Sequence, residues 1–246
     1  MLKNLYKPRA YIRDFTVSEK MQKPVFLLFV DLSAAFDHVV RKWLFASIYQ
    51  RFPQETEPKL FRLLESLYNK TTTALAQNPD DIFELLLGVR QGGPESPPLY
   101  NLYMDYVMRV YLKVCEDNNV QFLRLKYRIR STATTREERS AKYHGEHIVD
   151  WCGYADDLEL AFESIADLEK GLKLLDETFR RFHLQINATK TKTMILNFKC
   201  YMEQLCTEQP YPESIVKLND QVIENVEVFR YLGDDIRFDQ PSTGDL

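Results

Sequence analysis

The sequence predicts an α+β fold. Three observations carry this: segments with a helical apolar period stand between short strand-like runs, several of those runs pair as hairpins, and no internal repeat or low-complexity segment interrupts them. The chain has 246 residues, enough for one large domain or two small ones with a real core. Its 45% hydrophobic and 28% charged residues are ordinary globular composition. A net charge of −4 excludes a protein held to nucleic acid by overall charge, so such a partner would have to meet a local basic surface.

Taken in order, residues 11–23 read as a helix. Pro24 then introduces VFLLFVDL, an apolar run of strand length read as buried on both faces. Residues 39–51 place Val40, Leu44 and Ile48 on one helical face, with Trp43 beside them. Residues 58–69 repeat that spacing, and Pro58 suits a helix start. The stretch TTTALAQNPDDIFELLLGV reads as a hairpin turning about Asn78-Pro79-Asp80. Ser96, followed by Pro97 and Pro98, is expected to cap a helix running to about Cys115. Residues 118–147 are less periodic and locally basic, with Arg124, Lys126, Arg128, Arg130, Arg136, Arg139 and Lys142 outnumbering the acids. A strand–turn–strand follows at WCGYADDLELAF, and Ser164 to Asp167 caps a helix to about Phe182. Short strands in TKTMILNF, ESIVKLN and EVFRYLG complete the chain.

Four cysteines, Cys115, Cys152, Cys200 and Cys206, lack C-x-x-C spacing and the density of a disulfide scaffold. They read as reduced thiols of an intracellular protein. Cys200 and Cys206 can be imagined as metal ligands with His183, but plain thiols are the simpler reading. Charges spread through the first twenty-five residues argue against a signal peptide. The longest apolar run, Val25 to Val30, is too short to span a bilayer. A soluble protein of cytoplasm or nucleus is expected.

WCGYADDLELAF raises the chemical question. Asp156 and Asp157 repel one another between apolar runs, and removing either from water is costly without a compensating charge. Asp31 stands at the exit of another hydrophobic strand. Strand-end carboxylates from distant segments are what two divalent cations require, because Mg²⁺ prefers oxygen ligands and keeps several waters. Two such ions about 3.5–4 Å apart clamp the attacking and leaving oxygens of a phosphoryl transfer. Each feature also has a plainer reading when taken alone. Asp31 can be a helix cap, the Asp pair a turn, GVRQGGPESP a strand-to-helix turn, and Lys190 and Lys192 solvated charge.

The order of the parts is more specific than any one of them. FVDLSAAFD, GVRQGGPESP, YADD, NATKTKT and FRYLG together resemble the palm motifs of reverse transcriptases, most closely those of non-long-terminal-repeat (LINE-type) retrotransposons. The likeness spans residues 24–235, with Glu95-Ser96 where many relatives carry Leu-Ser. It implies a polymerase palm with an antiparallel sheet packed on helices and partial fingers. It implies an RNA-directed DNA polymerase that transfers a nucleotide from a dNTP to a primer 3′-OH. The implied partners are an RNA template, a DNA primer and dNTP, with no membrane; the cofactors are two Mg²⁺ ions, with Mn²⁺ as the alternative. The same resemblance implies Asp31 and Asp156 as principal metal ligands and Asp157 as their support. Phe36 would lie beneath the incoming sugar and reject a 2′-hydroxyl, with Leu32, Gln91 and Gly92 also at the nucleotide. Lys190 would act as a general acid at the departing pyrophosphate, with Lys192 its rival. Phe229 to Gly233, including Tyr231 and Leu232, would grip the primer, and the Asp234–Asp235 pair reads as an exposed turn.

On this reading residues 1–246 form one reverse transcriptase domain. Residues 1–23 are a remnant of the fingers, 24–200 the palm with a basic insert at 118–147, and 201–246 the end of the palm with the primer-grip hairpin. Only about thirty residues precede Asp31, and no helical thumb follows FRYLG. A palm without its flanks is therefore expected, with weak or undetectable processive synthesis alone. The competing expectation is a non-enzymatic relic that keeps the fold and binds nucleic acid or protein through residues 121–142. A palm-like nucleotidyl cyclase is disfavoured, since GVRQGG and the lysine motif have no place there.

Overall fold

All six residues of VFLLFV are buried in one strand, as an uninterrupted apolar run of this length predicts for the middle of a sheet. The computed structural model describes residues 23–52, 58–69, 71–75, 78–90, 92–123, 151–154, 156–231 and 233–238. The helix expected over 11–23, nearly all of the basic insert, Gln91 and Leu232 lie outside these. In chain order the elements are β1 (Val25–Val30), α1 (Arg41–Arg51), α2 (Pro58–Tyr68), β2 (Thr72–Leu75), β3 (Asn78–Glu84) and α3 (Ser96–Asp117). Then come β4 (Trp151–Tyr154), β5 (Asp157–Phe162), α4 (Ile165–Arg181), β6 (Lys192–Leu196) and α5 (Phe198–Leu205). Strands β7 (Ser214–Leu218), β8 (Gln221–Asn225), β9 (Val228–Tyr231) and β10 (Asp234–Arg237) close the series. The mixture is α+β, as expected.

Two compact units form. The first comprises Met1–Asp31, Asn118–Lys173 and Ala188–Leu246; the second comprises Leu32–Asp117 and Leu174–Asn187. Each carries one of the two tryptophans, Trp151 in the first and Trp43 in the second.

The first unit is built on a six-stranded sheet in the order β4-β5-β1-β6-β8-β7. Its neighbours are antiparallel except for β6 and β8, which run parallel. Side chains alternate between faces along a strand, so Val25, Leu27 and Phe29 share one face. There they meet Ala161, Met194, Leu196 and Tyr231. The β9–β10 hairpin contributes to this cover, and Phe229 stacks on Phe29 with ring centroids 4.2 Å apart. On the opposite face Phe26 meets Tyr201 of α5 edge-on. Each large apolar side chain buried this way contributes about 1.5–3 kcal/mol. The start of α4 follows its sequence signature. Ser164 Oγ accepts the Asp167 N–H and donates to the Asp167 carboxylate, while Asp167 also accepts the Gln121 N–H.

In the second unit, the backbone at Leu87–Val89 runs beside Phe36–Val40. The Gly88 N–H donates to Val39 O, the Val89 N–H donates to Phe36 O, and Val40 bridges Leu87. Gly88 has φ +82°, and a Cβ there would stand 3.1 Å from Asp37 O. Gly88→Ala is therefore expected to cost roughly 1–3 kcal/mol, from a left-handed backbone and a contact with backbone that cannot swing away. Urea denaturation of the purified variant measures it; an unchanged midpoint would contradict the close approach. Exposed apolar side chains crowd the same unit, with Ile82, Phe83, Leu85, Leu86 and Leu87 all open to solvent.

Several details depart from expectation. Ser96 is the first residue of α3 and is not its side-chain cap: its hydroxyl donates back to Arg90 O, and Leu99 N–H takes Glu95 O. Leu75 pairs with Asn78, so Asn78-Pro79-Asp80 stands inside β3 and not at the turn. Proline is tolerated there because a two-stranded sheet is all edge. The Asp234–Asp235 pair begins β10, opposite Tyr231 and Arg230, and is not a turn. Helix α5 and strand β8 were not anticipated at all. Among the described residues no helix is long and apolar enough to cross a membrane.

Candidate active site

The register of the central strands decides which candidate residues meet. Phe29 stands opposite Glu159 on β5 and opposite Lys192 on β6. Lys192 pairs in turn with Glu224 on β8, and Glu159 with Cys152 on β4. Cys152, Glu159, Phe29, Lys192 and Glu224 thus form one row across five strands. Two residues further along come Asp157 at the start of β5, Asp31 just past the end of β1 and Lys190 just before β6.

That second set holds the aspartates and the lysine that the sequence singles out. Asp31 leaves β1 with its N–H donating to Thr191 Oγ1 at 3.3 Å. Its Oδ2 is buried and accepts no hydrogen bond. Lys190 Nζ lies 3.8 Å from that oxygen, an ionic contact too long for a hydrogen bond. Its side chain is 68% exposed against 28% for Asp31. Lys192, by contrast, is bound to the Glu224 carboxylate at 2.8 Å and to Thr189 O. Of the two rival lysines, the one that reaches Asp31 is Lys190.

Asp156 and Asp157 occupy the link between β4 and β5. Tyr154 pairs directly with Asp157, so Asp156 stands in a two-residue turn and Asp157 opens the strand. This turn is the bend that lets adjacent carboxylates serve one place, since neighbours on a regular strand face opposite ways. Asp157 has its pKa raised, first by loss of water around it, then by the negative charges of Asp156 and Asp31. Asp157 therefore feels the other two aspartates. Among the described residues, no three His, Cys, Asp or Glu side chains converge as a ready-made cage. The donors are all carboxylate oxygens, one of them buried and unbonded, which suits a hard divalent cation better than a soft one.

One group in the first row escaped the sequence reading. Glu159 is 1% exposed, and neither carboxylate oxygen has a hydrogen-bond partner. Burial pushes its pKa up to about 8. Its charge in turn raises the Cys152 thiol and the Tyr231 hydroxyl, although burial is the larger cause in both. The nearest lysine in the row, Lys192, stands beyond Phe29 and is taken by Glu224. Nothing in the pattern LEL announces this, because a charged residue between two apolar ones reads as the wet face of a strand.

The remaining candidates lie elsewhere. Tyr231 is buried in the sheet-face core, and Gly233, with φ +93°, turns the β9–β10 hairpin. Leu32, Phe36 and Gly92 belong to the second unit. Leu32 is buried and bridges Ile186. The Phe36 ring stacks on Tyr100 of α3 at 4.5 Å. Gly92 has φ +79°, a conformation glycine accepts without strain.

Comparison with known proteins identifies the family. Residues 3–236 match the reverse transcriptase (RNA-dependent DNA polymerase) family. A curated relative is the retrovirus-related Pol polyprotein from type-1 retrotransposable element R2 of Bradysia coprophila, 24% identical over 180 residues. That alignment takes in 73% of this chain but only 18% of the relative. Among solved structures, apo telomerase of Candida tropicalis truncated from its C-terminal domain superposes with a TM-score of 0.56 at 12% identity, covering 96% of this chain and 40% of that one. Telomerase of Candida albicans, solved with a TWJ fragment of telomeric RNA, gives 0.55 at 9% identity, covering 96% and 33%. These structural likenesses speak for the fold alone. With the family match running through nearly the whole sequence, the chain belongs to the reverse transcriptase family.

Proposed function

We propose that this chain supplies the palm of an RNA-directed DNA polymerase of the non-long-terminal-repeat retrotransposon type, extending a DNA primer on an RNA template with dNTPs. The observation that carries this is the carboxylate cluster at the end of β1. A buried Asp31 oxygen that accepts no hydrogen bond and has only the Lys190 ammonium 3.8 Å away, with an Asp157 whose pKa is raised first by burial and then by Asp156 and Asp31, leaves an incompletely compensated negative site in a chain of this family. Asp31, Asp156 and Asp157 would hold two Mg²⁺ ions, or Mn²⁺ in their place. Bound there, the cations supply the charge that activates the primer 3′-hydroxyl and stabilises the leaving group.

The chain's own residues do the rest. The bond from the 3′-oxygen to the α-phosphorus forms, with the 3′-hydroxyl proton passing to solvent, as the bond from that phosphorus to the pyrophosphate oxygen breaks. Lys190, exposed beside Asp31, would give a proton to the departing pyrophosphate. Phe36, whose ring stacks on Tyr100, would be the residue that meets the sugar, as the family resemblance implies. Gln91, the Gly92 backbone and Leu32 would contact the nucleotide, the role that the family resemblance implies for them. The β9–β10 hairpin, with Tyr231, Leu232 and Gly233, supports the primer end.

The test is addition of one or a few dNTPs by the purified 246-residue chain to a DNA primer annealed on RNA. Weak, Mg²⁺- or Mn²⁺-dependent addition is expected. A divalent-cation-dependent rise in melting temperature should accompany it and disappear in Asp31→Asn. A chain that adds nothing and melts identically with and without either cation would leave only a non-enzymatic role.

A further inference from the structure

Arg41, the first residue of α1, is charged but is bound chiefly by backbone. Its Nε donates to Gly88 O at 3.1 Å, and one Nη donates to Tyr68 O at 3.0 Å. The same nitrogen reaches Thr71 Oγ1 and Leu85 O, while the other reaches Leu87 O. The guanidinium also lies 5.3 Å from the Tyr68 ring centroid. Five acceptors from three separate segments thus converge on one planar, five-donor group. Those segments are the end of α2, the residue entering β2, and the run from β3 to the GVRQGG motif.

What this fork holds is the strip Leu85–Gly88, whose continuation contacts the segment bearing Phe36. Gly88 and Val89 are bonded to Val39 O and Phe36 O, and beyond them Gly93 N–H returns to Arg90 O. Phe36 is consequently fixed twice, through its carbonyl by Val89 and through its ring by Tyr100. Both anchors belong to the segment that Arg41 fastens or to the helix it leads into.

We propose that Arg41 is a positioning residue for nucleotide selection, setting the spacing between the Phe36 ring and the turn that begins at Arg90. The inference rests on the polymerase reading above. Arg41 touches neither substrate nor metal; it acts through the carbonyls of Leu85, Leu87 and Gly88. A lysine cannot replace it, because an ammonium offers three donors from one point and not a planar fork.

The experiment compares wild type, Arg41→Lys and Thr71→Val in single-nucleotide addition with dNTP and with rNTP, alongside hydrogen exchange of the full chain. In Arg41→Lys the preference for dNTP should fall roughly tenfold, mainly through a higher KM for dNTP, because a small misplacement of a positioning wall is costly. Exchange at the Gly88 and Val89 amides should quicken while the amides of α3 keep their protection. Thr71→Val, which loses one acceptor, should shift both readouts in the same direction by less. Arg41→Lys that discriminates as well as wild type would overturn the inference, and so would one that loses protection throughout α3. Quickened exchange with undiminished selection would likewise reduce Arg41 to a structural residue. A wild-type chain that adds neither nucleotide removes the polymerase reading first, and the selection role with it.

Discussion

Asp156→Asn is expected to lower single-nucleotide addition by roughly 10³-fold, about 4 kcal/mol of transition-state stabilisation. Asp157→Asn should cost only about tenfold. The asymmetry follows from the backbone. Asp156 stands in the turn between β4 and β5, free of the sheet ladder, and its side chain is half-buried. Asp157 is tied into the ladder opposite Tyr154, and its side chain is exposed. The raised pKa of Asp157 also has a consequence for stability. A carboxyl raised in the folded state favours its neutral form, so its charge weakens the fold once pH exceeds its unfolded value. Without added cation, Asp157→Asn should accordingly melt no lower than wild type at neutral pH. Rapid-quench measurement of one added dNTP, run at saturating primer–template, distinguishes the two variants. Equal losses in both would refute the ranking of the pair.

Glu159→Gln is expected to have the largest effect on stability. The folded-state pKa of about 8 stands well above the ordinary 4.5. Below about 4.5 the group is neutral in both states and the difference vanishes. Between the two values the folded chain holds a proton that the unfolded chain has released, so stability declines as pH rises. Above about 8 the full cost remains, roughly 4–5 kcal/mol at about 1.36 kcal/mol per pKa unit. Glutamine keeps the shape and cannot ionise. It removes a cause, smaller than burial, that raises the Tyr231 hydroxyl and the Cys152 thiol, and leaves the Lys192–Glu224 pair beyond Phe29 in place. Its buried amide loses part of the gain if unpaired, about 1–3 kcal/mol. The decisive quantity is therefore the slope. With divalent cations chelated, melting temperature measured from pH 5 to 9 should fall less steeply for Glu159→Gln than for wild type. Parallel curves would show that Glu159 does not titrate in this range.

Much of this arrangement was legible because its causes are local. VFLLFV is apolar without a break and lies between β5 and β6 at the middle of the sheet. Ser164 and Asp167 form a reciprocal cap that depends only on three-residue spacing. The YADD turn is a two-residue hairpin link, and its register follows from that length. What was missed depends on distant partners. Helix α5 begins and ends on left-handed residues, Asn197 and Cys206, has no side-chain cap bond at Asn197, and buries no residue fully. Strand β8 buries only Ile223 and Asn225, and its partner β6 is parallel, a pairing that no turn signals. The burial of Glu159 belongs to a row completed from four other strands. The role of Arg41 is not legible in the sequence, because the backbone carbonyls that bind it carry no mark there.

The placement of the two tryptophans has a spectroscopic consequence. Trp151 is buried at the start of β4, opposite Leu160, in the first unit, while Trp43 stands among Tyr106 and Phe182 in the second. Trp43→Phe leaves a fluorophore that reports on the carboxylate-bearing sheet, and Trp151→Phe leaves one that reports on the Phe36 side. Whether the chain melts in one step or two then becomes readable from emission alone, one half at a time, without any label.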